Sequence, residues 1–174
     1  MTDRLGYKSY MAQGGDWGSA VTSWLGFNHS DHCKAIHLNC LTIRHANGPV
    51  GEEEIKWAKL FEEDQILENG YRTQQGTKPQ TLSYSMVDSP VGIAAWIIEK
   101  MRSWSDCNGD LESKWTKDHL LTNIMIYIVT GTFPTASWIY YGRRIEGNTT
   151  AAASIVLSEK GNRVEVPTAC ALFP

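Results

Sequence analysis

The sequence has no apolar run able to cross a bilayer. The longest, Ile124 to Val129, is far short of the ~20 residues that a transmembrane helix needs. Its first residues do not read as a signal peptide either. Cysteine is scarce. Cys33, Cys40, Cys107 and Cys170 form no CxxC pair, which excludes a zinc ribbon and points to reduced thiols. His29, His32, Cys33, His37 and Cys40 crowd together, but their spacing fits no common zinc pattern, so no metal and no cofactor is expected. An excess of positive charge is also missing. Lys and Arg number 16 against 19 Asp and Glu, and a net charge of −3 argues against a nucleic-acid partner. There is no internal repeat and no low-complexity tract.

What is present is the composition of a soluble globular domain. The chain has 174 residues, 42% of them hydrophobic and 20% charged, enough for a sizeable core. Seven Trp and seven Tyr suit an aromatic-lined pocket and an aromatic core equally well. Asn28-His29-Ser30 and Asn148-Thr149-Thr150 are glycosylation triplets, meaningful only in a secreted protein.

The chemistry centres on Gly14-Gly15-Asp16-Trp17-Gly18. It has the Gly-x-nucleophile-x-Gly spacing of a nucleophile elbow, with Asp where Ser usually stands. In such a bend a strand turns sharply into a helix, and side chains two residues either side of the nucleophile would collide. Gly14 and Gly18 are expected to remove that collision. Tyr10, Met11 and Ala12 are expected to end a short buried strand. Ala20, Val21, Trp24 and Leu25 recur at helical spacing, with Gly26 as the stop. The positive end of that helix favours a carboxylate at Asp16. Taken alone, the pattern also fits a glycine turn with a solvated Asp.

Asp in place of Ser narrows the reaction. A carboxylate is a poor acylating nucleophile, but it can displace a leaving group at saturated carbon and form an alkyl ester that water hydrolyses. Epoxides and carbon–halogen bonds are the natural targets. The backbone N–H of Trp17 would serve an oxyanion hole in the hydrolytic step.

Further along, Lys34 to Asn39 reads as a second, parallel strand. From about Leu41 helical signals dominate. Gly51 to Asn69 places Ile55, Ala58, Phe61 and Ile66 on one face. Thr77-Lys78-Pro79-Gln80 is a capping box opening a helix to about Met86. Asp88-Ser89-Pro90 caps a helix to about Trp104, and Thr116 caps one to about Val129. Asp106 to Asp110 is a turn, with only slight likeness to a calcium loop. Gly131 and Pro134 precede a short helix to Tyr141. Ala152 to Leu157 and Arg163 to Pro167 return to strand character.

These residues carry a family resemblance. The run Ala12 to Ser19 resembles the elbow of the microsomal-type epoxide hydrolases, which are α/β-hydrolases with a helical cap and are similar to the juvenile-hormone epoxide hydrolases. The likeness continues through Gln75 to Thr81, Asp88 to Gly92, Glu99-Lys100, Trp104 to Asp106 and Leu120 to Ile124. It runs on through Thr130 to Thr132, Tyr140-Tyr141, Val166 to Thr168 and Phe173-Pro174. It implies an α/β fold: a partial α/β-hydrolase core of few parallel strands with a mainly helical cap. Core would occupy residues 1–44, cap 45–150, and a return to core 151–174. It implies Asp16 as nucleophile, with Tyr71 and Tyr141 donating hydrogen bonds to the epoxide oxygen. Tyr140 competes with Tyr141 for that role. The implied partner is a small apolar epoxide.

The family's oxyanion-hole motif, its acidic triad member and its Gly-Gly-His-Phe base segment have no match here. None of His29, His32, His37, His45 or His119 lies in a segment like the base's. The chain therefore reads as truncated at both ends and impaired in ester hydrolysis. Two other readings stay open. A haloalkane dehalogenase-like hydrolase uses the same Asp chemistry, with Trp or Asn donors on the halide. A truncated paralogue without catalysis would act by binding, if at all.

Overall fold

Polar, small side chains decide how the helix after the Asp16 bend meets the sheet. In the computed structural model, which describes residues 1–40, 48–145, 163–171 and 173, the chain divides into two units. One comprises Met1–Glu62 with the described residues of Gly147–Pro174, and the other Glu63–Glu146. The expected strand at Ala152 to Leu157, the Asn148 triplet and His45 lie outside the described residues.

The first unit holds a short helix α1 (Thr2–Leu5), strand β1 (Tyr10–Gly14), helix α2 (Trp17–Asn28) and strand β2 (Cys33–Leu38). Strand β3 (Thr168–Cys170) completes a three-stranded sheet in the order β1-β2-β3, parallel throughout. The expected βαβ unit is present, with two differences. Strand β1 runs on to Gly14, and it is half-wet: Met11 is 80% exposed. Helix α2 passes through Gly26 and ends at Asn28.

The buried face of α2 is Ser19, Thr22, Ser23 and Gly26, not the larger Ala20, Val21, Trp24 and Leu25. Close approach explains this. A Cβ on Gly26 would lie 3.1 Å from Val164 and Val166 and 3.2 Å from Ile36, so any larger residue would have to push these side chains back by a few tenths of an ångström. Val164, Val166, Tyr10, Ala12 and Leu25 pack around the buried Cys33, Ile36 and Leu38.

The expected strand at Arg163 to Pro167 is not one. Val164 and Val166 do point inward alternately, while Arg163 and Glu165 pair outside at 2.7 Å. Backbone pairing begins only where the Pro167 carbonyl accepts from Ile36 N at 2.9 Å, and the ladder follows from Thr168. Proline has no N–H to give a ladder.

Helix α3 (Glu52–Glu68) spans the unit boundary. Its helical form agrees with the sequence, with three glutamates in its first turn, but its apolar face is not buried: Ile55 is 53% and Ile66 82% exposed. The second unit then contains α4 (Gly70–Thr77), α5 (Pro79–Met86), α6 (Pro90–Ser103), a 3₁₀ turn (Leu111–Ser113), α7 (Lys117–Thr130) and α8 (Phe133–Ile145). Its core is Leu82, Met86, Ile93, Ile124 and Phe133, flanked by Trp96 and Tyr127.

Two of the expected caps form. Ser89 Oγ accepts from Gly92 N at 3.1 Å, and Thr116 Oγ1 from His119 N at 3.2 Å. Gly131 closes α7 in the left-handed conformation at φ 62°. The capping box at Thr77 does not form. Thr77 still belongs to α4, and its hydroxyl donates to Thr73 O at 2.7 Å, leaving Lys78 as an N-cap without a side-chain bond. Helix α8 continues past Tyr141 to Ile145.

All four cysteines are free thiols. Among the described residues no helix is long and apolar enough to cross a membrane, and no three potential metal ligands gather.

Replacing Ile93, 2% exposed at the centre of the helical core, by Ala is expected to cost about 2–5 kcal/mol. Ile55→Ala on the exposed face of α3 is expected to stay within about 0.5 kcal/mol. Urea unfolding midpoints of the two variants check both.

Candidate active site

Asp16 stands at the bend between β1 and α2 with φ 46° and ψ −121°. A non-glycine residue there is strained by roughly 1–3 kcal/mol, and such strain persists only where surrounding packing imposes it. The packing is visible. A Cβ on Gly14 would run into the backbone carbonyl of Gly18 and lie 2.6 Å from Thr22 Oγ1. Ser19, 1% exposed, donates from Oγ to Gly14 O at 3.1 Å, and Asn39 N donates to the same carbonyl at 3.2 Å. Ser19 N points at Asp16 O at 3.0 Å, closing the first turn.

The two flanking glycines are not equivalent, contrary to expectation. Gly14 is required because the backbone of Gly18 occupies the space its side chain would fill. A Cβ on Gly18 itself meets nothing within 4 Å. The collision at the bend is one-sided. Asp16 is the N-cap of α2 without a side-chain capping bond, and it is exposed. Its carboxylate is thus not spent on the helix it precedes. Trp17 is the first residue of α2, at the helix's positive end.

Tyr71 and Tyr141 belong to the helical unit, on α4 and α8. Tyr71 packs edge-on against Trp104, with ring centroids 5.4 Å apart, and against Tyr140 at 5.7 Å. Tyr141 faces different neighbours: Trp138 at 5.4 Å and the Arg144 guanidinium at 5.3 Å. Arg144 in turn donates from Nε to Gly76 O at 2.5 Å, tying α8 to α4. The structure therefore brings Tyr71 together with Tyr140, the alternative weighed in the sequence. Neighbouring residues on a helix point about 100° apart, and Tyr140 and Tyr141 accordingly meet different rings.

Two of the described histidines, His32 and His119, have other partners. His32 Nδ1 lies 3.0 Å from Lys8 O and its Nε2 3.1 Å from Asp31. His119 stacks on Trp115 at 5.0 Å. His37 is within β2. Glu68 belongs to none of the sequence motifs, and Asn39 is marked in the sequence only as the end of a strand. Asn39 Oδ1 sits where a side chain on Gly15 would point; its place just after β2 was the only signal.

Comparison with known proteins gives a consistent result. No family model matches the chain. It is 33% identical to epoxide hydrolase 1 of Oryctolagus cuniculus over 98% of its length, and 34% identical to juvenile hormone epoxide hydrolase 2 of Ctenocephalides felis over 100%. The crystal structure of juvenile hormone epoxide hydrolase from the silkworm Bombyx mori superposes with a TM-score of 0.80 at 27% identity, covering 98% of this chain. The chain spans about two fifths of the length of these relatives: 42%, 41% and 44% respectively.

Gly14→Ala is expected to destabilise the bend by about 1–3 kcal/mol through overpacking. Gly18→Ala is expected to be neutral or to stabilise α2 by up to about 1 kcal/mol, from helix propensity. Thermal unfolding of the two variants separates them.

Proposed function

The chain belongs to the epoxide hydrolase family, and on that premise we propose that Asp16 opens epoxides as a nucleophile, with Tyr71 and Tyr140 as proton donors. The observation that carries this reading is the backbone of Asp16. A carboxylate held at φ 46° after a sterically required glycine is a costly arrangement, and a solvated turn has no use for it. In this reading the unit around the sheet is hydrolase core, and the helical unit of Glu63–Glu146 is the cap.

The chemistry runs in two steps. A carboxylate oxygen of Asp16 attacks one epoxide carbon, the carbon–oxygen bond breaks, and the ring oxygen takes a proton from a tyrosine phenol. The product is a hydroxyalkyl ester of Asp16, and the phenolate is reprotonated from solvent. A phenol of pKa ~10 suits this role because it can protonate an alkoxide while being neutral beforehand. Water then adds to the ester carbonyl. Negative charge on that oxygen meets the backbone N–H of Trp17, and collapse releases a vicinal diol, restores the carboxylate and returns a proton to solvent, matching the one the phenolate took up. The substrate class is an apolar epoxide, in keeping with the aromatic neighbours of Tyr71.

The packing of Tyr71 on Tyr140 favours that pair over Tyr71 with Tyr141. Tyr140→Phe is expected to slow ester formation about a hundredfold, the scale of a lost general acid, and Tyr141→Phe by less than about threefold. Stopped reactions followed by intact mass report these rates; the reverse order would reinstate Tyr141.

Incubation with styrene oxide is expected to add one epoxide mass to the peptide bearing Asp16, and Asp16→Asn to abolish the adduct. An equal adduct in Asp16→Asn would show that another group is the nucleophile.

A further inference from the structure

We propose that Glu68 is a positioning residue for the tyrosine pair, acting through Trp104. This deepens the reading above and rests on it for its functional consequence. Glu68 ends α3, one turn of chain before Tyr71. Its Oε2 accepts three hydrogen bonds from α6 and its end: Lys100 Nζ at 2.7 Å, Trp104 Nε1 at 3.0 Å and Ser103 Oγ at 3.1 Å. The Trp104 indole, pinned by its N–H, supports Tyr71 edge-on at 5.4 Å, and Tyr71 supports Tyr140 at 5.7 Å. One carboxylate oxygen thus orients a continuous row of three rings.

The pair is ionised at neutral pH. The hydrogen bond from Lys100 holds the Glu68 carboxyl below its ordinary range, against the opposing pull of burial. Burial lowers Lys100, but its bonds to Glu68 and Glu99 outweigh that and hold the ammonium above its usual value. Lys100 Nζ lies 5.6 Å from the Trp104 ring and 6.0 Å from the Tyr71 ring, at the edge of cation–π range. The cluster sets one cation against two carboxylates, since Glu99 also reaches Lys100 at 3.0 Å. It therefore offers no excess positive charge to acidify a phenol. Its effect on Tyr71 is geometric, and geometry is what a proton donor needs: misplacement by about 1 Å can cost about a hundredfold in rate.

The test labels the chain with 3-fluorotyrosine and assigns its fluorine NMR lines by single Tyr→Phe variants. In Glu68→Ala the Tyr71 and Tyr140 lines are expected to move or broaden, while the Tyr127 line, in the separate core around Ile93, stays in place. Glu68→Gln keeps an oxygen acceptor for the indole N–H and is expected to restore much of the wild-type pattern. Should Glu68→Ala fail to fold, Trp104→Phe, which removes the N–H and keeps a ring, is expected to shift the same two lines. Tyr71 and Tyr140 lines that coincide with wild type in the folded variant would overturn the proposal. Ester formation gives the second readout. Glu68→Ala is expected to slow it ten- to a hundredfold, and to add less than that factor in a Tyr71→Phe background, where only Tyr140 is left to position. Additive losses would overturn positioning. A Tyr71→Phe variant of unchanged rate would overturn the donor assignment, while the fluorine lines still decide whether Glu68 sets the rings.

Discussion

A side chain at positive φ must be forced there, and the first unit is organised around that force at Asp16. Strand β1 delivers the chain to Gly14, whose missing side chain leaves room for the Gly18 carbonyl one turn into α2. Hydrogen bonds from Ser19 Oγ and Asn39 N both end on Gly14 O, so helix and sheet grip the same peptide. Each contact is worth only about 1 kcal/mol, but together they offset a local strain of similar size.

The same close approach governs the helix that follows. A helix meeting a sheet through Leu or Trp would stand off by a side-chain length. Through Ser19, Thr22, Ser23 and Gly26 it lies against Ile36, Val164 and Val166. Buried serines in the helical unit tell a related story. Ser83 Oγ and Ser137 Oγ donate to the carbonyls of Pro79 and Phe133 one turn back, at 2.8 and 3.1 Å. Their hydroxyls are satisfied within their own helices, so they can pack as small residues. Among the described residues no buried side-chain polar atom lacks a partner.

Where the sequence was misleading, a local pattern did not say what its residues would meet. The apolar stripe of α3 obeys helical spacing, and the helix forms, yet none of it is buried within the described residues. Thr77 has the residues of a capping box downstream, but α4 had already claimed its hydroxyl. Val164 and Val166 alternate as a strand should, yet they lie before the point where a ladder to β2 can start. In each case periodicity identified what the residue prefers and could not identify what it meets.

The sequence alone determined the chemistry at hand and the local bends: a carboxylate between spaced glycines, helix starts at Ser89 and Thr116, a helix end at Gly131. These depend on neighbours a few residues away, which a linear reading contains. It also determined the family, because matches recur in order along the chain. Only the tertiary structure decided that Gly14 and not Gly18 bears the steric demand, that Tyr71 rests on Tyr140, and that Glu68 gathers Lys100, Ser103 and Trp104. Those outcomes turn on which groups meet across helices more than thirty residues apart, or on a few ångströms of backbone approach, and neither is written in spacing.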